Sequence, residues 1–317
     1  MNKMPIIIDC DTGTDDAIAI IAALYSPIFD VRAITTVDGN VALKYTSQNT
    51  LDLVRYLGFN VKVAIGAPAP IKAEVIHFND GTHGDTGMGT VVLPKADSGF
   101  YEKNAVETII EEARLLNGEL ILVPIGPMTN IAHAIMIYPE LKTLVKEIVF
   151  MGGAMRGGNM TTTAEFNAWA DPEALSIVLN SGIKCKMIGL DVTEKAALNQ
   201  EDADIFRGLG TKAGQVAADL LEFMFVRFNK GKEDAYMHDG LAVAVAAVPE
   251  IVKTQSYYVD CECKGKYTRG HTYVATNELF FKNGETPQLC DVAVELDLPR
   301  FKEFLHRAIA NSAKLEQ

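Results

Sequence analysis

The chain has 317 residues, of which 48% are hydrophobic and 22% charged, an ordinary globular balance that argues against a disordered chain and leaves ample apolar material for a core. Its 29 lysines and arginines against 41 aspartates and glutamates give a net charge of −12. Such a surface repels phosphate backbones and anionic lipid, which argues against a nucleic-acid binder or a membrane-surface protein.

The N-terminus runs from Met1 straight into Pro5-Ile6-Ile7-Ile8, too short an apolar stretch for a secretory signal, with acids directly after it. The longest apolar runs, Ala17–Leu24 and Leu241–Val248, fall far below a membrane span. Five cysteines without a CxxC pair fit free thiols in a reducing compartment rather than a disulfide framework or a zinc site. A cytoplasmic protein is expected.

Runs rich in Ile, Val and Leu predict strands at Ile6–Asp9, Val31–Thr36, Val61–Ile65, Leu120–Pro124, Ile148–Met151 and Lys184–Leu190. They are apolar on both faces, as buried parallel strands are. Helical patterns alternate with them near Asp15–Tyr25, Leu43–Leu57, Ala105–Leu116, Thr129–Ile137 and Pro172–Asn180, the last opened by an Asp171 cap and Pro172. Helices near Gln200–Arg207 and Gly214–Phe228 come next, then a hairpin around Tyr257–Thr276 and a terminal helix near Arg300–Ala313. The βαβα order predicts an α/β fold: an open, mainly parallel, doubly wound sheet with helices on both faces, plus extra C-terminal helices and a small hairpin. No linker, repeat or low-complexity tract divides it, so residues 1–317 read as a single domain. In such sheets ligands sit beyond the carboxyl ends of the strands, which directs attention to the residues just past each strand end.

The first strand ends in Asp9-Cys10-Asp11-Thr12-Gly13-Thr14-Asp15-Asp16-Ala17, four carboxylates within eight residues. Like charges this close repel unless a cation neutralises them, and oxygen ligands select hard ions such as Ca²⁺, Mg²⁺ or Mn²⁺. A solvated helix N-terminus explains one or two of these acids through the helix dipole, but not acids on both sides of the turn. Gly13 is expected to permit the tight turn between the two halves. An EF-hand starting at Asp9 fails, because its twelfth position is Ile20.

This segment resembles the DxDxGxDDA signature of the inosine–uridine type nucleoside hydrolases, with Thr12 where family members most often carry proline. Further elements agree in order. Asn40, in an Asp38-Gly39-Asn40 turn after the second strand, matches an Asn that reaches the sugar. His83-Gly84-Asp85-Thr86-Gly87-Met88-Gly89 resembles the family's HGxxGxG element beside the base. Ile125, in Pro124-Ile125-Gly126-Pro127, matches a residue whose backbone carbonyl binds calcium. Met151-Gly152-Gly153, Asn159 and Glu165-Phe166-Asn167 resemble its ribose-binding segment. His238-Asp239 matches a base-side His beside a metal-binding Asp. The resemblance runs from Asp9 to Asp239.

What it implies is a Ca²⁺-dependent nucleoside hydrolase. Asp11, Asp15, Asp16, Asp239 and the Ile125 carbonyl would hold one Ca²⁺. Asp11 would serve as general base toward water and His238 as acid toward the leaving base. Asn40, His83, Asn159, Glu165, Phe166, Asn167 and His238 would bind the ribonucleoside. The transition state would resemble an oxocarbenium ion. The single tryptophan, Trp169, rules out a two-tryptophan base sandwich within one subunit and favours an inosine–uridine or pyrimidine style of site. Arg227, Tyr236 and His271 are candidates for the lid or pocket, and Phe225–Met237 reads as a short covering segment. A homodimer or homotetramer is implied by the resemblance alone. Two other classes remain open on the residues: a metal-dependent phosphohydrolase using the same acidic loop, and a non-catalytic nucleoside or sugar binder.

Overall fold

The computed structural model describes residues 3–72, 81–228, 234–277 and 287–316. Its strands are β1 (Met4–Cys10), β2 (Phe29–Thr36), β3 (Lys62–Ile65), β4 (Leu120–Pro124), β5 (Val145–Met151), β6 (Cys185–Ile188), β7 (Ala197–Leu198), β8 (Ala235–Tyr236), β9 (Val252–Cys261), β10 (Thr272–Ala275) and β11 (Leu289–Leu296). Nine of them form one sheet in the order β10-β9-β11-β6-β5-β4-β1-β2-β3, while β7 and β8 pair separately. From β11 through β3 every neighbouring pair is parallel; β9 and β10 run antiparallel at one end. The mainly parallel, doubly wound sheet expected from the sequence is therefore what the chain forms.

Alternate side chains of one strand enter opposite faces of a sheet, and here both faces are covered. Ile6, Ile8 and Cys10 of β1 join one apolar cluster with the helices Thr14–Tyr25, Lys212–Phe228, His238–Ala247 and Leu298–Ala310. Ile7 of the same strand joins the other, with Ala105–Leu116, Thr129–Ile137 and Pro172–Leu179. All twelve residues of Thr14–Tyr25 are buried, acids included. That helix packs against the equally apolar His238–Ala247, which brings the first and last segments of the acidic set together. Asp171 caps Pro172–Leu179 by accepting from Ala174 N at 3.1 Å, as the Asp-Pro pair predicts.

β1 is central, and the chain leaves it in two directions: to β2 and β3 on one side, to β4, β5 and β6 on the other. In register, Asp9 stands opposite Thr35 of β2 and Pro124 of β4. The loops after these three strands thus open at the same edge, at the point where strand order reverses and ligands characteristically bind.

β11 has no strand signature in the sequence. Its LCDVAVEL pattern carries Asp291 and Glu295 and shows mixed burial, so it lacks the continuous apolar run of its parallel neighbours. β11 carries the hairpin onto the main sheet, and β9 is longer than the reading allowed, starting at Val252. The terminal helix ends at Ala310, with a short separate turn at Ser312–Leu315. No described helix is long and apolar enough to cross a membrane.

Candidate active site

The acidic loop is folded back on itself by its own carboxylates. Asp16 accepts from the backbone N–H of Gly13 at 2.9 Å and of Asp11 at 3.2 Å. Asn40 closes the loop from β2, giving its backbone N–H to Asp11 Oδ2 at 2.7 Å and its side-chain amide to Asp16 Oδ2 at 3.0 Å. Gly13 is required for a different reason from the one its turn suggests. Its φ is −101°, open to any residue, but a Cβ there would lie 2.5 Å from His83 Nδ1 and 2.8 Å from Asn40 Nδ2. Thr12, standing at the family's usual proline, is fully buried and tied to Thr50 Oγ1 at 2.6 Å, so the turn is secured by a hydroxyl pair.

Behind the loop, Asp9 accepts from Thr35 Oγ1 and from Asn130 Nδ2, and its backbone carbonyl takes the N–H groups of Ile125 and Gly126. The β1, β2 and β4 loops are thereby locked to one another. Burial lifts the Asp9 carboxyl to about 7.

Asp15, Asp16 and Asp239 are buried and bring carboxylate oxygens within 4.8 Å of one another. Burial, then the neighbouring carboxylates, pushes Asp11 and Asp239 well above the usual aspartate range, and burial with Asp15 lifts Asp16 to about 7. Among the described residues, Asp11 Oδ1 is buried and has no hydrogen-bond partner. An unpaired buried carboxylate oxygen is costly, and a cation is the partner such a set fits. The cluster could hold a metal, and its all-oxygen chemistry suits a hard one.

A cavity of about 260 Å³ opens onto this cluster. Asp11, Asp15 and Asp239 line it, as do the sequence-expected Asn40, His83, Ile125, Asn159, Glu165, Phe166, Asn167 and His238. Asp16 stands behind the wall, occupied with the loop's own N–H groups. On one side, Glu165 caps the helix Phe166–Ala170 and takes the N–H groups of Gly153, Asn167 and Ala168 at 2.8–3.0 Å. Asn167 gives its amide to the Ile125 and Met151 carbonyls, and Asn159 Oδ1 accepts from Phe166 N. On the other side, His83 Nδ1 accepts from Thr14 N at 3.0 Å, and His238 Nδ1 meets Thr193 Oγ1 at 2.8 Å. Burial holds the His238 ring below its ordinary value, opposed by the carboxylates of Asp15 and Glu194.

Tyr236 lines the cavity too. Arg227 does not; it donates to the lining residue Thr82 at 3.0 Å. His271 also lies outside the lining, bound to the Thr163 carbonyl and set edge-on against Tyr273. Trp169 packs near Phe166 without reaching the cavity. The covering segment Phe225–Met237 includes residues 229–233, outside the described residues. Thr82, Met160 and Met224 also line the cavity, and Thr193 partners His238, none of them marked by a sequence motif. Met224 was hidden in the apolar stripe of a helix, and a threonine on a short helix carries no signal of its own.

The chain matches the family model for inosine-uridine preferring nucleoside hydrolase over residues 6–303. It is 39% identical over 307 residues to the pyrimidine-specific ribonucleoside hydrolase RihA of Salmonella enteritidis, covering 95% of this chain and 97% of that protein. Among solved structures, the purine-preferring ribonucleoside hydrolase from Gardnerella vaginalis superposes with a TM-score of 0.90 at 35% identity, over 98% of this chain and 99% of that one. A plant nucleoside hydrolase, PpNRh1, gives 0.88 at 27% identity, with 98% and 99% covered.

Proposed function

The chain belongs to the inosine-uridine preferring nucleoside hydrolase family and hydrolyses ribonucleosides to ribose and free base; on that premise we propose which of its residues do the chemistry. Asp11 is the general base, His238 the acid on the base side, and Asp11, Asp15, Asp16, Asp239 and the Ile125 carbonyl hold a Ca²⁺ ion. The observation that carries this is the convergence of separate strand-end segments on one cavity, floored by buried aspartates, with Asp11 Oδ1 left without a partner among the described residues.

Bound there, the cation supplies Lewis-acid polarisation of a water molecule and of the sugar diol. Asp11 takes the proton that water gives up. Its carboxylate accepts from Asn40 N through Oδ2, and Oδ1 has no hydrogen-bond partner among the described residues. Asn40, Asn159, Glu165 and Asn167 surround the ribose, each already anchored by loop contacts, so little ordering remains to be done when the sugar binds. Phe166 and His83 border the sugar and base. Ribose binding energy spent this way lowers the barrier to an oxocarbenium-like transition state, whose positive charge the aspartates favour. On the far side, His238 protonates the leaving base.

Pyrimidine ribonucleosides are the preferred substrates in this proposal. Trp169 is kept from the cavity, and the relative 39% identical is named pyrimidine-specific. The whole chain acts as one domain in the cytoplasm and as a homodimer or homotetramer. Ribose and base released from uridine, cytidine, inosine and adenosine, assayed side by side, test the substrate reading. Faster turnover of the two pyrimidine nucleosides supports it, and faster inosine or adenosine cleavage overturns the preference. Phosphate release from nucleotides without ribose release would favour a phosphohydrolase instead.

A further inference from the structure

His238 can protonate a leaving base only if the correct ring nitrogen faces it, and the ring by itself does not decide which. One contact to the ring bears on the choice. Thr193 is fully buried at the end of the short helix Leu190–Thr193, directly after β6, and its Oγ1 lies 2.8 Å from His238 Nδ1. Among the described residues that hydroxyl has no other hydrogen-bond partner. Two further contacts hold the segments together. Ala197 and Leu198 of β7 pair with Tyr236 and Ala235 of β8, and Met237 N donates to the Ala196 carbonyl at 2.9 Å. The stretch carrying His238 is thus stitched to the stretch carrying Thr193 beside the contact.

We propose that Thr193 is a positioning residue for the hydrolysis: its hydroxyl holds Nδ1 of His238 so that Nε2 is the ring nitrogen presented to the leaving nucleobase. The inference rests on the assignment of His238 as the base-side acid.

A hydroxyl both donates and accepts, so the contact survives proton transfer. Toward a neutral ring, Thr193 O–H donates to Nδ1 and the ring proton resides on Nε2. Toward an imidazolium, Nδ1–H donates to Oγ1 and Nε2–H points at the base. In the reaction the glycosidic electron pair passes to the base nitrogen, the Nε2–H bond breaks and an N–H bond forms on the base. The ring is left neutral, its remaining proton on Nδ1 and accepted by Oγ1. Water supplies the hydroxyl that ribose gains. A valine at position 193 keeps the shape and removes the one side-chain hydrogen bond to the His238 ring found among the described residues.

The test compares Thr193→Val, Thr193→Ser and His238→Ala on uridine and on p-nitrophenyl riboside, whose leaving group needs no proton. T193V should lower kcat on uridine by about ten- to a hundredfold with little change in KM, part of the range general acids supply. On p-nitrophenyl riboside the loss should stay under about twofold, and T193S should restore most of the uridine rate. Equal losses on both substrates, or an unchanged uridine rate in T193V, overturn the role of Thr193. If H238A itself loses both substrates equally, the underlying acid assignment fails; if H238A shows the split and T193V does not, only this inference fails. Should T193V not fold, the wild-type protein crystallised with ribose and uracil gives the reading directly. Uracil within hydrogen-bond distance of Nε2, with Nδ1 still on Thr193, supports the proposal; a ring turned with Nδ1 toward uracil overturns it.

Discussion

Asn40 grips one oxygen of Asp11 and not the other: its backbone N–H reaches Oδ2 at 2.7 Å, while Oδ1 is buried with no hydrogen-bond partner among the described residues. The carboxylate is therefore fixed in orientation without being used up. Asp11→Asn keeps the shape, but its amide cannot take a proton from water and places an N–H₂ among acids. Turnover of uridine should fall by at least about 10³-fold, as loss of a general base together with a cation ligand demands. The urea midpoint of the metal-free protein should stay level or rise, because one buried like charge is gone. Initial rates of ribose release and urea melts check both halves; near-normal turnover removes Asp11 as base.

Two glycines define the space around the same carboxylate. A Cβ on Gly39 would lie 2.1 Å from Asp11 Oδ2, and one on Gly126 would lie 2.8 Å from Asp11 Oδ1. Gly39→Ala must displace the carboxylate or the turn. It should cost about 1–3 kcal/mol in stability, as overpacking does, and depress kcat far more than Gly99→Ala, where nothing crowds the added carbon and the backbone is not left-handed. Chemical melts and rates on both variants test this. Equal activities would show that Asp11 tolerates displacement.

These glycines also show what was legible in the sequence. The strand-end acids, the alternating βα pattern and the separated His, Asn and Asp segments point to one edge of one sheet, and the structure brings Asp11, Asp15, Asp239 and the His and Asn residues to one cavity, with Asp9 and Asp16 behind it. The reason for Gly13 was not legible, because it concerns His83 and Asn40, side chains brought from elsewhere in the chain. The same holds for Thr193, whose meaning comes from β7 and β8 pairing beside it. β11 escaped because its charged residues break the pattern that marks its parallel neighbours. Spacing along the chain reports what a segment offers; contacts between segments decide what each residue does.

The acidic cluster makes stability depend on pH and on metal in opposite senses. In the metal-free fold, burial and mutual repulsion raise Asp11 and Asp239 and lift Asp16 to about 7, above the ordinary aspartate value near 3.8. Between those values the folded state binds more protons than the unfolded one, so stability falls as pH rises from about 4 to 7. A bound divalent cation favours the ionised form and competes with those protons. Chelator-treated protein should thus melt lower at pH 7.5 than at pH 5.5, and added Ca²⁺ should raise the melting temperature more at pH 7.5. Calorimetric scans at both pH values decide; a larger Ca²⁺ effect at pH 5.5 contradicts the linkage.

His238→Ala should reduce cleavage of uridine and inosine by about 10²-fold or more while sparing p-nitrophenyl riboside, which departs without a proton. Steady-state rates on the three substrates measure the split. A uniform loss would assign His238 to packing against Tyr236 and Thr193 rather than to proton transfer.

The central claim is that the buried aspartates serve a cation on which hydrolysis depends. It is tested most directly by removing metal with a chelator, dialysing the chelator away, and measuring ribose release from uridine as Ca²⁺ is added back. Activity should vanish in the stripped protein and return in full as about one Ca²⁺ binds per chain. Undiminished ribose release from protein shown by elemental analysis to carry no metal would contradict it.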